Sequence, residues 1–243
     1  MQRYFIELAY NGTPFNGWQI QPNAPTVQQE LEEALAKILR IKTGVTGCGR
    51  TDSGVHASEF FAHFESDSEI DTEKFAFKLN CMISQEIAIH SIYKVENDLH
   101  ARFSATARTY HYFINQKKDA FGFNTSWFMH APLDLDKMNE ACKLLIGTQD
   151  FTSFSKLHTQ TKTNICTISQ AYWKQTGTNL AFTITADRFL HNMVRAIVGT
   201  TIEVGKGKKT VEDFGVVIES KSRQNAGASV PGHGLFLAKI EYP

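Results

Sequence analysis

The sequence predicts an α+β protein (α/β in the broad sense) made of two ferredoxin-like βαββαβ halves, with a fused, mainly antiparallel sheet and a central active-site cleft. Three observations carry this. Segments with strand-like alternation and segments with helix-like spacing interleave along the chain, and the order strand, helix, strand, strand, helix, strand is spelled twice. At 243 residues and 42% hydrophobic, the chain can bury a large core in one or two domains.

The elements follow in order. Arg3 to Tyr10 alternates as a strand and ends at the turn signal Asn11-Gly12. Thr26 with Gln29 forms a capping-box pattern, ahead of Val27, Leu31, Ala34, Leu35 and Ile38 at helical spacing. Short strands are expected over Gly44–Cys48 and Phe60–Glu65, a helix after Asp71, and an alternating strand over Ile87–Val95. The second half repeats the order, with a strand over Ala107–Asn115 and a helix over Leu135–Ile146 that stops at Gly147. Strands over Ile165–Lys174 and Leu180–Ala186, a helix over Leu190–Val204 and a final strand over Leu235–Tyr242 complete it. A short helix at Val211–Glu219 is extra. The two halves are expected to meet near residue 105, as domains 1–104 and 105–243.

Charge restricts function less than its distribution does. Lys plus Arg equals Asp plus Glu at 25 each, so there is no overall basic excess of the kind nucleic-acid binders often show. Yet Phe151 to Ala186 holds no acid beside Lys156, Lys162 and Lys174, and Leu99 to Lys118 holds none beside Arg102, Arg108, Lys117 and Lys118. A neutral chain can therefore carry a basic face. The acids gather in helical segments, Glu30, Glu32 and Glu33, then Asp134, Asp136 and Glu140, where a solvated face is the plain explanation. The basic cluster Lys206 to Lys209 reads as a solvated loop. Cys48, Cys81, Cys142 and Cys166 lie far apart with no zinc-ligand spacing, which suggests reduced and mostly buried thiols. The chain shows no leader-like start and no run of about 18 apolar residues, so a soluble cytoplasmic protein without a membrane partner is expected.

The densest motif runs from Gly47 to Ala57 and reads GCGRTDSGVHA. Glycines around an Arg and an Asp, between two expected strands, describe an exposed, tightly shaped loop, and Asp-Ser-Gly is by itself an ordinary turn signature. The longer string resembles the GRTDxGVHA signature of the tRNA pseudouridine synthase A family, in which the aspartate is catalytic. The resemblance covers nearly the whole chain. It extends to YNGTPFNGWQ (Tyr10 to Gln19), the TVQQEL helix start (Thr26 to Leu31) and FSATARTYHY (Phe103 to Tyr112). FLHNMVRAIVG (Phe189 to Gly199) and GHGLFL (Gly232 to Leu237) follow in the same order. It places the family's functional residues on Asp52 and Arg50, on Tyr110, on Arg195 and on Leu235.

The chemistry explains these residue types. Pseudouridine forms when the N1–C1′ bond is cut, the uracil turned, and C5 joined to C1′. No electrons are exchanged overall, so no cofactor is expected, and a carboxylate can hold sugar or base covalently during the exchange. The resemblance gives Asp52 that role. Attack at C1′, attack at C6, and a glycal route all remain compatible with it. Arg195 stands beside an expected buried stripe of Leu190, Val194, Ile197 and Val198. Either its stem packs along the helix surface or, as the resemblance implies, it partners Asp52 and keeps the carboxylate ionised and aimed. A uridine in a stem must be flipped out, and Arg50 is placed to fill the vacated space. Tyr110 is either a core aromatic or, as in the family, stacks on the uracil with its hydroxyl near the C5 proton. Leu235 is either a plain strand residue or packs on the other face of the base. His56, His111 and His191 stand singly and are assigned packing or phosphate contact. Ser53 carries no triad pattern.

The chain departs from the family in having Ser53 for a common Ala, and Thr109 and His111 for frequent arginines, which weakens the positive charge along the RNA path. The resemblance further implies a homodimer and targets at tRNA positions 38 to 40 in the anticodon stem-loop. Two other readings compete. A catalytically weak RNA chaperone of the same fold should have lost Asp52 or Arg195, and has lost neither. A hydrolase would need a second carboxylate or a Mg²⁺ ion, and Arg40 to Ala62 offers only Asp52 and Glu59.

Overall fold

The computed structural model describes residues 1–156 and 163–243, so Lys162 lies outside the described residues. The chain divides into two compact units, Met1–Thr106 together with Phe236–Pro243, and Ala107–Leu235. The expected α+β class holds, with mainly antiparallel strand pairing and helices in the predicted order.

In the first unit, β1 (Gln2–Tyr10) lies antiparallel between β3 (His56–Ser66) and β4 (Ile87–Val95), and the short β2 (Thr46–Gly47) pairs with β3. Tyr4, Ile6, Leu8 and Tyr10 bury one face of β1 and Phe5 is buried on the other, as suits a strand paired on both sides. Cross-strand neighbours such as Tyr4 and Phe64, with stacked rings 5.5 Å apart, fix its register. The strand expected over Phe60–Glu65 starts four residues earlier, because its N-terminal part pairs at Tyr10↔Ala57.

Helix α1 (Val27–Leu39) buries Val27, Leu31, Ala34 and Leu35, as its spacing predicts. Its capping box is half made: Thr26 Oγ1 accepts from Gln29 N at 3.3 Å, but the Gln29 side chain turns to Glu33 at 2.9 Å. Nor are all its acids merely solvated. Glu32 accepts from Val45 N at 3.0 Å and Glu30 from Ser84 N, which ties the helix to two loops. A second helix, α2 (Thr72–Asn80), is capped by Asp71.

The terminal strand, Leu235–Glu241, is the main difference from expectation. From Phe236 onward it groups with the first unit, running parallel to β3 with Phe236 opposite His56 and Leu237 opposite Ala57. Ile240 N donates to Glu59 Oε1 at 2.7 Å, and the Tyr242 hydroxyl donates to Ala101 O at 2.7 Å. The Tyr242 ring also meets Phe5 and Phe61 edge-on at 5.5 and 5.3 Å.

The second unit contains β5 (Ala107–Asn115), β6 (Trp127–Phe128), α3 (Leu135–Lys143), β7 (Gly147–Asp150), β8 (Ile165–Thr176), β9 (Asn179–Ala186), α4 (Met193–Gly205) and α5 (Val211–Glu219). Its strands run β5-β9-β8-β7, all antiparallel, with β6 parallel beside β5. Helix α3 ends three residues before the expected point, as Leu144, Leu145 and Ile146 each bond three residues back. Helix α4 begins at Met193 because Asn192 adopts a left-handed φ of 67°. It is buried on nearly all sides, leaving only Arg195 and Glu203 partly exposed, so it is a core helix where a one-sided stripe was expected.

Candidate active site

In the first unit, the loop between β2 and β3 is shaped by backbone contacts. Thr51 and Val55 are buried, Asp52 is half-buried, and Arg50 and Ser53 are exposed. Val55 N donates to Asp52 O at 3.1 Å, closing a turn in which Gly54 adopts a φ of 73°, as the Asp-Ser-Gly signature predicts.

The segment from Tyr10 to Trp18 is the seat of this loop. Gly54 N donates to Phe15 O at 3.2 Å and Trp18 N to Thr51 O at 3.3 Å. Gly12 N donates to His56 Nδ1 at 3.0 Å, and the Tyr10 and Thr51 hydroxyls pair at 2.9 Å in a buried position. A β-carbon at Gly12 would overlap Val55 O, and one at Gly17, whose φ is 86°, would overlap Thr51 O. Trp18 stacks on Phe60 at 4.2 Å, and a β-carbon at Gly47 would come within 2.6 Å of its ring. The YNGTPFNGWQ and GCGRTDSGVHA motifs are thus one object, a glycine-backed cradle that holds Asp52 between two clamped neighbours.

In the second unit, α4 presents Arg195 and β5 presents Tyr110. Arg195 Nε donates to Val230 O at 2.7 Å, while Val230 N donates to Arg195 O at 3.3 Å. The strap from Ala226 to Pro231 therefore follows the helix. Gly227 N donates to Thr200 Oγ1 at 3.0 Å, Asn192 reaches Ser229 Oγ, and Arg223 reaches Gly227 O at 3.0 Å and Ser229 Oγ at 2.9 Å. A β-carbon at Gly199 would overlap Ala228 O, which explains the glycine that closes the FLHNMVRAIVG block.

Tyr110 is half-buried, its ring edge-on to Phe189 at 5.1 Å. Two residues on and on the same strand face, Tyr112 is fully buried and donates to Pro231 O at 3.0 Å. Burial pushes the Tyr112 phenol far above its ordinary range, against the opposing charge of Arg195, so it remains a hydrogen-bond donor. Its ring would lie 2.8 Å from a β-carbon on Gly234, next to the buried Leu235. Arg195 and Tyr112 thus hold the two ends of the segment that leads into Leu235. Thr109 pairs its hydroxyl with Thr185 at 2.9 Å, and burial lowers the pKa of His111.

Arg50 and Asp52 therefore share one loop, and Tyr110, Arg195 and Leu235 belong to the second unit. His56 is a packing residue, 1% exposed, accepting from Gly12 N and stacked on Phe236 at 4.4 Å. Glu59 Oε1 accepts from Ile240 N of the terminal strand at 2.7 Å. Burial pushes the thiols of Cys142 and Cys166 up to about 12, so neither is a reactive nucleophile. Among the described residues, no group of three or more His, Cys, Asp or Glu could hold a metal ion, and no helix is long and apolar enough to cross a membrane. The clamp residues Thr51, Asn192, Tyr112 and Arg223 were not singled out from sequence. The signal that could have pointed to them is glycine beside buried aromatics in YNGTPFNGWQ and GHGLFL.

A family model described as tRNA pseudouridine synthase matches residues 141–243. Curated relatives called tRNA pseudouridine synthase A match over the whole length. One from Parabacteroides distasonis is 54% identical, covering 100% of this chain and 97% of the relative, and one from Bacteroides fragilis is 54% identical with the same coverage. A relative from Bacillus subtilis is 39% identical over 97% of each chain. With likeness of this extent over the loop that bears Asp52, the helix that bears Arg195 and the terminal strand alike, the chain belongs to the tRNA pseudouridine synthase A family, isomerases that convert uridine to pseudouridine in tRNA.

Proposed function

We propose that this tRNA pseudouridine synthase uses the Asp52 carboxylate to break the N1–C1′ bond of a flipped uridine and to hold the intermediate while C5 is joined to C1′. The supporting observation is the cradle. Backbone bonds to Thr51, Gly54 and Val55 fix the residues on both sides of Asp52, which is the preorganisation an aimed nucleophile requires. N1–C1′ is exchanged for C5–C1′, C5 loses a proton and N1 gains one, so the balance closes without oxidant or reductant.

In this reading, by likeness to the family, Arg195 serves as the cationic partner of the carboxylate and Arg50 fills the space the uridine leaves. Tyr110 stacks on the uracil and assists removal of the C5 proton, and Leu235 covers the other face of the base. Positions 38 to 40 of the anticodon stem-loop as targets, a homodimer as the active form, and a cytoplasmic location complete the proposal, all by likeness to the family.

The test follows tritium release from a tRNA transcript labelled at uridine C5, for the wild type and Asp52→Asn, without added metal or cofactor. Release that vanishes in Asp52→Asn supports the proposal. A wild type that binds several tRNAs but releases no tritium would sink it in favour of an RNA chaperone.

A further inference from the structure

We propose that Arg102 and Phe103 form a second contact to tRNA, remote from the reacting uridine, in which Phe103 stacks on an unpaired base and Arg102 meets a neighbouring phosphate. The inference rests on tRNA being the substrate.

These residues sit on the turn between β4 and β5, and that turn is unusually well anchored. All five backbone N–H groups from His100 to Ser104 are bonded. His100 N donates to Ser104 Oγ at 2.9 Å, and Ser104 N to His100 O at 3.0 Å. Ala101 N donates to His63 Nδ1 at 3.1 Å, while Arg102 N and Phe103 N donate to His100 Nδ1 at 3.0 and 3.2 Å. The carbonyls of Leu99 and Ala101 accept from Arg3 Nη1 at 3.0 Å and from the Tyr242 hydroxyl at 2.7 Å. A line of rings runs outward beneath the tip, Phe5 on His63 at 6.1 Å, His63 on His100 at 4.7 Å, and His100 on Phe103 at 4.4 Å.

On this fixed base Phe103 is 77% exposed, although Ala101, two residues back, is fully buried. The Arg102 guanidinium carbon stands 5.7 Å from the centre of the Phe103 ring. An open aromatic whose backbone is already fixed has less entropy left to lose when a flat partner stacks on it. A cation over the ring suits a partner that brings negative charge with its flat surface, and single-stranded nucleic acid has both. The acid-free run from Leu99 to Lys118 begins at this turn.

The turn is far from the chemistry. It rests on His63, seven residues along β3 from His56, which borders the catalytic loop, or about 23 Å at the usual rise of a strand. A contact there acts on affinity rather than on bond making.

The test measures tRNA binding by fluorescence anisotropy at several salt concentrations, tritium release under single turnover, and sedimentation, for the wild type, Phe103→Ala, Phe103→Leu, Phe103→Trp and Arg102→Gln. Phe103→Ala and Phe103→Leu should weaken binding about 5- to 150-fold, the range for one stacked base, while Phe103→Trp stays close to wild type. The single-turnover rate at saturating tRNA should not change. Arg102→Gln should lower the slope of log K against log salt by about 1. Phe103→Ala binding as well as wild type would overturn the inference, as would full affinity in Phe103→Leu. A fall in oligomer size in Phe103→Ala would also overturn it and assign the ring to a contact between copies. A wild type that neither binds nor isomerises tRNA removes the functional reading and this inference together, whereas an active wild type matched by Phe103→Ala removes only the inference.

Discussion

A β-carbon on Gly17 would overlap the carbonyl oxygen of Thr51, the residue immediately before Asp52. The close approach lets Trp18 N bond Thr51 O, and the φ of 86° at Gly17 is one that side-chain-bearing residues rarely adopt. Gly17→Ala must therefore move the Asp52 loop or its seat. A displacement of about 1 Å can cost on the order of 10²-fold in rate, and the strained backbone adds roughly 1–3 kcal/mol of destabilisation. Thermal melts and tritium-release rates for Gly17→Ala should show both losses. Ser53→Ala, which removes only a long contact of 3.4 Å to Phe15 O, should be near neutral in both. Full activity in Gly17→Ala would mean that the cradle does not set the position of Asp52.

Arg195→Lys separates charge from shape. Lysine keeps the positive charge but lacks the Nε–H that meets Val230 O at 2.7 Å. The expected result is a fall of about 10²-fold in kcat and faster amide exchange across the strap from Ala226 to Pro231, with tRNA affinity little changed. A lysine variant with wild-type rate and protection would show that charge alone suffices at this position.

Much of the fold was legible because periodicity is a local property. Strand β1, helix α1 and strand β4 each announce themselves within about ten residues, and the observed bounds fall close to the expected ones. What could not be read locally is pairing. The partner of Phe236 is His56, so nothing near the end of the chain shows that the terminal strand belongs to the first unit. Strands β6 and β7, of two and four residues, are too short to carry a period. The Asp-Ser-Gly turn was visible for the same reason β1 was. The seat beneath it was not, since Gly12 and Val55 lie 43 positions apart and meet only once the sheet has formed. Charge misled in one place: Glu30 and Glu32 look like a solvated face, yet both accept bonds from distant backbone.

Stability should fall in acid through His63. Burial, then the nearby positive charges of Arg3 and His100, lower its pKa from 6.5 to about 4, and its Nδ1 is occupied by Ala101 N. The unfolded chain takes up a proton near pH 6.5 and the folded chain only near 4. Between those values the unfolded state therefore binds more protons, and stability drops as pH falls. At about 1.4 kcal/mol per pH unit the whole window is worth up to about 3 kcal/mol. Denaturant titrations from pH 7 to 4 should show this slope in the wild type and a shallower one in His63→Gln. Equal slopes would assign the acid sensitivity to other groups.

Tyr110 allows the most direct separation of roles, because its ring and its hydroxyl are asked to do different things. The ring rests edge-on against Phe189 at 5.1 Å, a contact that Tyr110→Phe retains and Tyr110→Ala removes. If the hydroxyl assists removal of the C5 proton, Tyr110→Phe should bind tRNA as well as wild type but lose about 10²- to 10⁴-fold in kcat. Proton removal would then limit the rate, so 5-deuterouridine in the substrate should slow Tyr110→Phe more than it slows the wild type. Tyr110→Ala should in addition weaken binding, by about the 1–3 kcal/mol of one lost base stack. A Tyr110→Phe variant with wild-type kcat and no enlarged isotope effect would leave the ring as the functional part and move proton removal to another group.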